Sequence, residues 1–268
     1  MENDRLNALP KRYGAYALVT GASEGIGQCF AEALAKAGMN VVIVARRQDR
    51  LNALAQSLEA QYKIKCLAIQ ADLSSATQLE RVLQLTDKLD IGLLVCNAGF
   101  GSAGNFLDAD LEVELNMLNV NCKAVTKLAH HFGLKFKLKG AGGLILLSSI
   151  VATQGVARSA HYAATKAYVH TLGEGLQQEW LKSGLDLLIV APGPVNTGFA
   201  QRSKMALGQA AAPAVVAKQS LQALGRWRLI HPGWLAKCMA LALSTAPRAL
   251  RVKIMSAVMG SMTKHLAH

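Results

Sequence analysis

The chain has 268 residues, of which 51% are hydrophobic and 17% are charged, and its formal net charge at pH 7 is +12. This composition supports a large globular core and excludes an intrinsically disordered or fibrous protein. The five cysteines form no CxxC pair, and their odd number excludes a complete set of internal disulfides. The sequence therefore predicts a reducing, cytoplasmic environment and no structural metal site. No apolar run reaches the ~18 residues of a membrane-spanning helix, and the first residues do not resemble a secretory signal.

Short apolar strands alternate with helical patterns from the start of the chain. The strands "YALVTG", "NVVIVAR" and "KCLAIQADL" are separated by the helices "GQCFAEALAKAG" and "RLNALAQSLEAQY". The alternation continues with "QLERVLQLTDKL", "IGLLVCNAG", a long helix from about residue 111 to 139, "GGLILLSS", a helix containing "HYAATKAYVHTL", and "LDLLIVAPGP". Because these strands lack polar alternation, we expect them to be buried on both faces, as in a parallel sheet covered by helices. The sequence thus predicts one doubly wound α/β domain with a sheet of about seven strands.

The last part of the chain has a different pattern. The segment "NTGFAQRSKMALGQAAA" has no clear period and is interpreted as mobile, and a short helix, "PAVVAKQSLQAL", and a last strand within "RWRLIHPG" come after it. Two further helices, "WLAKCMALALSTA" and "RALRVKIMSAVMGSMTKHLA", are predicted at the end. In the second of them, an apolar stripe of four-residue steps lies among basic residues and consists of Leu250, Ile254, Val258 and Met262. Such a helix can pack on the sheet, pack on a second subunit, or lie at a membrane surface.

The positive charge is concentrated after Asp186, which is the last acidic residue. A region of one sign suits an anionic partner, such as a membrane surface, a phosphorylated or CoA-linked substrate, or a nucleic acid. It is equally typical of a basic surface that only aids solubility. Because the basic residues are not interleaved with aromatic ones, nucleic-acid binding is not predicted.

A glycine-rich turn, "TGASEGIG", joins the first strand to the first helix. Gly21, Gly25 and Gly27 allow the backbone to approach a pyrophosphate, whose charge the N-terminus of the helix stabilises. Alone, such a turn is a weak indication of function. Here it occupies the strand–turn–helix position that a dinucleotide-binding motif requires.

Tyr162 and Lys166 stand four residues apart in "HYAATKAYVHTL", which places them on one helix face about 5 to 6 Å apart. Ordinary amphipathic helices contain such pairs too, so the spacing alone assigns no function. Reduction of a carbonyl needs a proton donor within hydrogen-bond reach of the carbonyl oxygen, and Tyr162 can be that donor. A phenol titrates near ~10, and we expect the neighbouring ammonium of Lys166 to lower the pKa of Tyr162.

In this order the motifs resemble those of the short-chain dehydrogenase/reductase family, in the branch whose glycines are spaced TGxxxGxG. The resemblance covers residues 14–198 and rests on "TGASEGIG", "ADL" at 71–73, "NAG" at 97–99, "VN" at 120–121, "SS" at 148–149, "YAATK", and "PGPVNT" at 192–197. It implies an oxidoreductase with a single Rossmann-fold domain spanning residues 1–268. Within that domain, 14–198 would form the cofactor-binding and catalytic core, and 199–268 the substrate lid and C-terminal helices.

The resemblance also implies the roles of individual residues. The catalytic serine of the family lies 13 residues before the tyrosine, which selects Ser149 over Ser148. Ser149 is expected to donate to the substrate oxygen, and Asn121 to hold a water in a proton relay. Lys166 is expected to bond the nicotinamide ribose as well as tuning Tyr162. The residues expected to contact the cofactor are Gly21, Ser23, Gly25, Ile26, Gly27, Arg46, Asp72, Leu73, Asn97, Ala98, Gly99, Tyr162, Lys166, Pro192, Val195 and Thr197.

The end of the second strand indicates which nicotinamide coenzyme is bound. Ala45 stands where NAD-binding relatives carry an acid, and two arginines come directly after it. A guanidinium suits a 2′-phosphate, so the sequence predicts NADP(H), with Arg46 as the better candidate contact and Arg47 facing solvent. Glu24 does not fit this pattern, because many NADPH-preferring relatives carry a basic residue at that position.

The predicted reaction is the NADPH-dependent interconversion of a carbonyl and an alcohol, on a hydrophobic ketone or a 3-oxoacyl thioester. Substrate recognition is expected in the segment after Thr197, in the loop "FGSAGNF", and around Trp227 and Trp234. The alternatives are a catalytically silent coenzyme-binding protein and a basic membrane- or nucleic-acid-associated protein. Besides the small-molecule substrate, the predicted partners are further copies of the chain, as a dimer or tetramer, and a membrane surface touched by the basic C-terminus.

Overall fold

A computed structural model describes residues 2–203, 205–206 and 208–264 of the chain. Seven parallel strands form one sheet in the order β3-β2-β1-β4-β5-β6-β7. The strands are β1 (Tyr16–Thr20), β2 (Asn40–Ala45), β3 (Cys66–Gln70), β4 (Ile91–Cys96), β5 (Gly142–Leu147), β6 (Leu185–Val190) and β7 (Leu229–Ile230). The chain starts in the middle of the sheet and winds outward first to one edge and then to the other, which confirms the predicted doubly wound Rossmann fold.

Helices cover both faces of this sheet. They are α1 (Glu2–Asn7), α2 (Leu9–Tyr13), α3 (Gly25–Lys36), α4 (Gln48–Tyr62), α5 (Ala76–Thr86), α6 (Leu111–Leu118), α7 (Val125–Lys139), α8 (Ala160–Glu179), α9 (Gly198–Arg202), α10 (Pro213–Ala223), α11 (Trp234–Ser244) and α12 (Arg248–Met262). The predicted helices of the core are confirmed, and the last strand is shorter than its sequence pattern indicates.

Alternation along each strand divides the core into two layers. Val19 and Ile43 point to the face covered by α3, α4 and α10, whereas Leu18 and Val42 point to the face covered by α5, α7 and α8. Because both faces are buried, the strands carry nearly continuous apolar residues, as a parallel sheet requires.

The long helix predicted over residues 111–139 is interrupted in the structure. Residues Asn119–Ala124, between α6 and α7, form a π-helical segment. A π-helical turn inserts one extra residue into the helix and rotates the next turns about the helix axis, and such segments occur frequently at functional sites. Here the segment contains Asn121, which is 1% exposed.

The two N-terminal helices have no counterpart among the elements predicted from the sequence. The Tyr13 hydroxyl donates to Asp186 over 2.7 Å, and the Arg12 guanidinium lies 2.7 Å from the same carboxylate. Burial, with help from the Asp186 carboxylate, raises the pKa of Tyr13 well above its ordinary value. These contacts fasten the start of the chain to the start of β6.

The last helix buries its predicted stripe only in part, because Val258 and Met262 line the cavity described below whereas the other two residues of the stripe do not. Leu250 and Ile254 of the predicted stripe are 47% and 41% exposed, whereas Met255 and Met259 are 3% and 5% exposed. The two methionines pack in a cluster that also contains Tyr162, so the helix covers the chain's own interior. No helix in the described ranges is long and apolar enough to cross a membrane. The predicted contact with a membrane surface stays a prediction, and residues 265–267 of the predicted helix lie outside the described residues.

The segment interpreted as mobile contains regular structure. Residues 198–202 form α9, and Val195 pairs with Ala211 in an isolated parallel bridge. Lys204 and Leu207 lie outside the described residues. The segment therefore leaves the sheet after β6, crosses the carboxyl edge as α9, and returns to the bridge.

Candidate active site

The carboxyl ends of the central strands open on one cavity of about 480 Å³. Its lining includes the glycine-rich turn after β1, the arginines after β2, the loop after β4, Ser149 after β5, and residues of α8, α9 and α12. The chain changes winding direction between β1 and β4, and clefts at such switch points are the usual ligand sites of open α/β sheets.

The glycine-rich turn is locked to the neighbouring strand end. The Asn97 side-chain amide donates to the carbonyls of Thr20 and Gly21 over 2.9 and 3.2 Å, and the Thr20 hydroxyl accepts from the backbone N–H of Asn97 and of Ala98. A Cβ on Gly27 would lie 2.2 Å from the Gly21 carbonyl oxygen. A side chain at this position would push the turn away from the helix. The tight turn that lets the backbone approach a pyrophosphate therefore depends on glycine here.

The two arginines after β2 differ in their exposure and in their contacts within the chain. Arg46 is exposed, whereas Arg47, which we expected to face solvent, turns inward. Arg47 donates to the Ser23 hydroxyl over 2.8 Å and lies 3.0 Å from a carboxylate oxygen of Glu24. The reason is electrostatic, because Glu24 is the one carboxylate among the cavity-lining residues of the glycine-rich turn and attracts the nearest guanidinium. Both arginines line the cavity and remain candidates for a 2′-phosphate.

Asp72 and Leu73 lie at the same end of the cavity, after β3. The Asp72 carboxylate accepts from the backbone N–H and the hydroxyl of Ser74 over 3.0 and 2.8 Å. These bonds fix the turn between β3 and α5 and hold Asp72 beside the cleft.

Tyr162 and Lys166 lie on the face of α8 that is turned toward the cavity, and both are buried. The Lys166 ammonium donates to the Leu147 carbonyl over 2.8 Å and lies 5.8 Å from the centre of the Tyr162 ring. Ser149 stands just after β5, and its hydroxyl is close enough to Tyr162 to affect the pKa of the phenol. The end of β5 and one face of α8 thus bring Ser149, Tyr162 and Lys166 together at the cavity.

The pKa of Tyr162 moves in the direction opposite to our prediction. Burial raises it well above the ordinary value of a phenol, and the neighbouring Ser149 hydroxyl offsets this rise only in part. Burial lowers the pKa of Lys166 to about 8, with a small opposing effect of Cys122. Burial is the largest cause of both shifts, and a sequence does not reveal burial of this degree.

Ser148, which the sequence assigns to the strand end, has a structural role. Its hydroxyl donates to the Lys166 carbonyl over 3.0 Å and lies 3.5 Å from Nδ1 of His170. It therefore ties the end of β5 to the backbone of α8 at Lys166.

Asn121 joins three elements of the site. Its side-chain amide donates to the Phe100 carbonyl over 2.9 Å and to the Thr165 hydroxyl over 3.0 Å, and its side-chain oxygen accepts from the Phe100 N–H over 3.1 Å. The π-helical turn directs Asn121 to these partners. A Cβ on Gly99 would lie 2.9 Å from the Asn121 side-chain oxygen and 3.3 Å from the Lys166 ammonium, so Asn121 and Lys166 are close neighbours.

The segment 192–197, which is predicted to hold the nicotinamide, lines the cavity together with Ser149, Tyr162 and Lys166. The Thr197 hydroxyl accepts from the Phe199 N–H over 3.3 Å, and its methyl group would touch a Cβ on Gly25 at 2.9 Å. Val195 is held by its bridge to Ala211. The segment thus packs against the glycine-rich turn from the opposite side of the cleft.

The other half of the cavity is apolar, and sequence reasoning found part of it. Phe100, Phe199 and Met205 belong to the loop and the segment predicted for substrate recognition, whereas the contribution of the α11 and α12 methionines was missed. Its wall is built from methionine and aromatic side chains, namely Phe100, Phe199, Met205, Met239, Met255, Met259 and Met262. Phe199 of α9 lies with its ring centre 5.4 Å from that of Tyr162. The i, i+4 spacing of Met255 and Met259 was a usable signal for this wall.

Trp227 and Trp234 do not line this cavity, contrary to our prediction. They are 62% and 68% exposed. Trp227 lies at the far edge of the sheet, just before β7, and Trp234 is the first residue of α11. Their position results from the sheet order, which places β7 at the edge, away from the switch point between β1 and β4.

Comparisons with known proteins place this site in a family. The family model described as "short chain dehydrogenase" matches residues 15–207. The chain is 31% identical over 220 residues to a 7beta-hydroxysteroid dehydrogenase of Clostridium sardiniense, a match that spans 81% of this chain and 84% of that protein.

Two solved structures extend the comparison. A structure described under "7beta-hydroxysteroid dehydrogenase stereoselectivity" has a TM-score of 0.86 and 27% identity, covering 92% of this chain and 98% of that one. A short-chain dehydrogenase from Sphingobium yanoikuyae in complex with NADPH has a TM-score of 0.77 and 29% identity, covering 87% and 96%. The chain therefore belongs to the short-chain dehydrogenase family of oxidoreductases.

Proposed function

We propose that the protein catalyses the NADP(H)-dependent interconversion of a ketone and a secondary alcohol on a bulky hydrophobic substrate, such as a fused-ring steroid. One observation carries this proposal: Tyr162 lies where the nucleotide-binding half of the cavity meets the methionine-lined half. Methionine side chains adapt to irregular apolar surfaces, which suits a large rigid ligand. The similarity to a hydroxysteroid dehydrogenase supports the same class of substrate.

The residues of the polar half fit a nicotinamide dinucleotide. The glycine-rich turn offers a close backbone approach for the pyrophosphate, Asp72 and Leu73 lie where the adenine would bind, and Arg46 and Arg47 suit a 2′-phosphate. Residues 97–99, Pro192, Val195 and Thr197 would flank the nicotinamide. When bound, the coenzyme supplies or accepts the hydride.

The chain's own residues handle the proton. A raised pKa keeps the Tyr162 phenol protonated at neutral pH, so it can donate to the carbonyl oxygen as negative charge develops there. The Ser149 hydroxyl, beside Tyr162 in the same cavity, is placed to donate to the same oxygen. Lys166 and Asn121 lie behind Tyr162 and would lead a replacement proton to it, in the relay proposed for Asn121.

The coenzyme assignment predicts a preference that binding alone can measure. Titration of the protein with each reduced coenzyme, monitored by the coenzyme's own fluorescence, should give a Kd for NADPH at least about tenfold below that for NADH, because only NADPH carries the 2′-phosphate. Screening steroid ketones, smaller ketones and 3-oxoacyl thioesters for NADPH oxidation then identifies the substrate class. Equal Kd values for NADPH and NADH would contradict recognition of the 2′-phosphate by Arg46 and Arg47. Turnover of 3-oxoacyl thioesters alone would contradict a steroid-like substrate and assign the thioesters instead.

Ser149→Ala should lower kcat about 10²- to 10³-fold, because one hydrogen-bond donor to the developing oxyanion is lost. The Kd for NADPH and the Tm should stay close to the wild-type values, since the Ser149 side chain otherwise accepts only a long, 3.4 Å bond from Val151 N. Ser148→Ala is the matched control: it removes the hydroxyl that anchors Lys166, so it should lower Tm as well as kcat. Equal kcat for Ser149→Ala and the wild type would exclude Ser149 from catalysis.

A catalytically silent coenzyme-binding protein was the main alternative from the sequence. The meeting of Ser149, Tyr162 and Lys166 in one buried site argues against it, because a silent protein has no need to keep a buried ammonium.

The predicted homo-oligomer stays a prediction; exposed leucines on α6 and α7, such as Leu111 and Leu138, support it.

A further inference from the structure

Glu24, the acid that did not fit the predicted coenzyme preference, is surrounded by guanidinium groups. One carboxylate oxygen lies 3.0 Å from Arg47 and 3.2 Å from Arg50, and the other accepts a hydrogen bond from Arg202. Burial opposes ionisation of Glu24, but the hydrogen bonds from Arg202 and Arg47 outweigh it and lower its pKa. Glu24 is therefore a carboxylate at neutral pH with partners at the start of α4 and on α9.

The partners divide into two groups by position. Arg47 and Arg50 lie at the N-terminal cap and in the first turn of α4, on the nucleotide side of the cleft. Arg202 is the last residue of α9, the helix that crosses the cavity. Glu24 thus bridges the glycine-rich turn and α9, the helix that we call the lid below.

Close packing surrounds the bridge between Glu24 and Arg202. A Cβ on Gly198 would lie 3.1 Å from both Glu24 carboxylate oxygens and 3.1 Å from the Arg202 guanidinium. The first turn of α9 therefore lies directly against the ion pair. At the other end of this segment, the Ala206 N–H donates to the Met262 carbonyl of α12 over 2.9 Å.

The position of α9 matters because of what the helix carries. Phe199 packs against the Tyr162 ring and, with Met205, closes one side of the apolar half of the cavity. Loss of the bridge at Arg202 would leave α9 fastened by the Ala206 bond and by packing. The wall that faces the substrate would then be less well positioned.

Glu24 has a second effect through Arg47. The same guanidinium that suits a 2′-phosphate already donates to Ser23 and lies beside Glu24. A phosphate bound there would share Arg47 with a carboxylate of like charge. Glu24 therefore opposes NADP(H) binding while it holds the lid.

We propose that Glu24 is a positioning residue with two opposed effects: through Arg202 it holds α9 over the cavity, and through Arg47 it weakens binding of the coenzyme's 2′-phosphate. The first effect results from contacts within the chain, and the second rests on the proposed NADP(H) function. This accounts for an acid at a position where NADPH-preferring relatives carry a base.

The test uses Glu24→Gln, Arg202→Gln, the double variant, and Arg50→Gln as the matched control. Arg50 pairs with the same carboxylate at 3.2 Å but does not belong to the lid. Hydrogen–deuterium exchange of the peptide that contains α9 measures the lid without any turnover, and fluorescence titration with NADPH and NADH measures coenzyme binding.

Glu24→Gln and Arg202→Gln should each speed exchange in α9 about three- to fivefold, and the double variant should add nothing further, because one bridge is lost in all three. Arg50→Gln should leave α9 exchange at the wild-type rate. Glu24→Gln should also lower the Kd for NADPH about fivefold and leave that for NADH within about twofold, because only the 2′-phosphate lies near the removed charge. Raising the salt concentration should shrink this difference.

If α9 exchanges at the wild-type rate in Glu24→Gln, Glu24 does not hold the helix through Arg202. If the Kd for NADPH rises in that variant, Glu24 does not weaken binding of the 2′-phosphate. Neither result affects the proposed reaction if NADPH still binds to the wild type. Failure of the wild type to bind NADPH overturns the proposed function and the coenzyme effect of Glu24 together, while the exchange rates still decide the bridge.

Discussion

Tyr162→Phe should lower kcat/KM for ketone reduction by about a thousandfold, because the substitution removes the proton donor and leaves the ring. Phenylalanine keeps the packing against Phe199, whose ring centre lies 5.4 Å away, so the cavity wall should be preserved. The Kd for NADPH should stay within about threefold of wild type, since the dinucleotide's main contacts lie on other elements. Steady-state kinetics and coenzyme titration on the same preparation measure both quantities.

Tyr168→Phe is the matched control for this variant. Tyr168 lies on the same helix, is 44% exposed, and has its hydroxyl 2.8 Å from that of Thr126. It should lose less than about twofold in kcat/KM. If Tyr162→Phe retained wild-type turnover, the phenol would not be the proton donor and the catalytic assignment would be wrong.

Lys166→Met should make the protein more stable at pH 7 and inactive. The pKa of Lys166 is lowered to about 8 by burial, from an ordinary value of 10.5, so the folded chain holds a poorly solvated ammonium at neutral pH. Methionine has a similar shape without the charge, although the Leu147 carbonyl loses a hydrogen bond of 2.8 Å. We expect a net increase of about 2 kcal/mol in the free energy of unfolding, or about 5 °C in Tm.

This increase should depend on pH in one direction. The folded chain releases the Lys166 proton near pH 8 and the unfolded chain near pH 10.5, so between these values the unfolded state binds more protons. Wild-type stability therefore gains from Lys166 as pH rises through this window, and the advantage of Lys166→Met shrinks. Thermal melts at about pH 7 and about pH 9.5 measure the difference.

Lys182→Met provides the comparison, because Lys182 is exposed and its substitution should change Tm by the same small amount at both pH values. A Lys166→Met variant that is less stable than wild type at both pH values would contradict a destabilising buried charge at this position. Retained activity would contradict the catalytic role of Lys166 separately.

The sequence predicted the sheet and the location of the site well, for a physical reason. Strands buried on both faces must be continuously apolar, and a glycine-rich turn after β1 with polar residues after β4 and β5 must converge at one edge of a parallel sheet. Gly27 and Asn97 show this: each is in place because the turn closes on the neighbouring strand end.

Three features escaped the sequence because they depend on how elements pack. The buried face of α12 is set by its packing in the cluster that contains Tyr162 of α8. Met255 and Met259 therefore turn inward, while Leu250 and Ile254 stay exposed. The inward turn of Arg47 depends on Glu24, which is distant along the chain. The raised pKa of Tyr162 depends on burial, which spacing to Lys166 cannot show.

Hydride transfer itself tests the central claim most directly. Wild-type protein would be incubated with NADPH carrying deuterium at the transferable position of the nicotinamide and with a steroid ketone, and the product alcohol analysed by mass spectrometry. The proposed reaction predicts one deuterium on the carbinol carbon of the product, formed about a thousandfold more slowly by Tyr162→Phe. Binding of NADPH without deuterium in the alcohol from any bulky ketone, or equal rates for the two proteins, would contradict it.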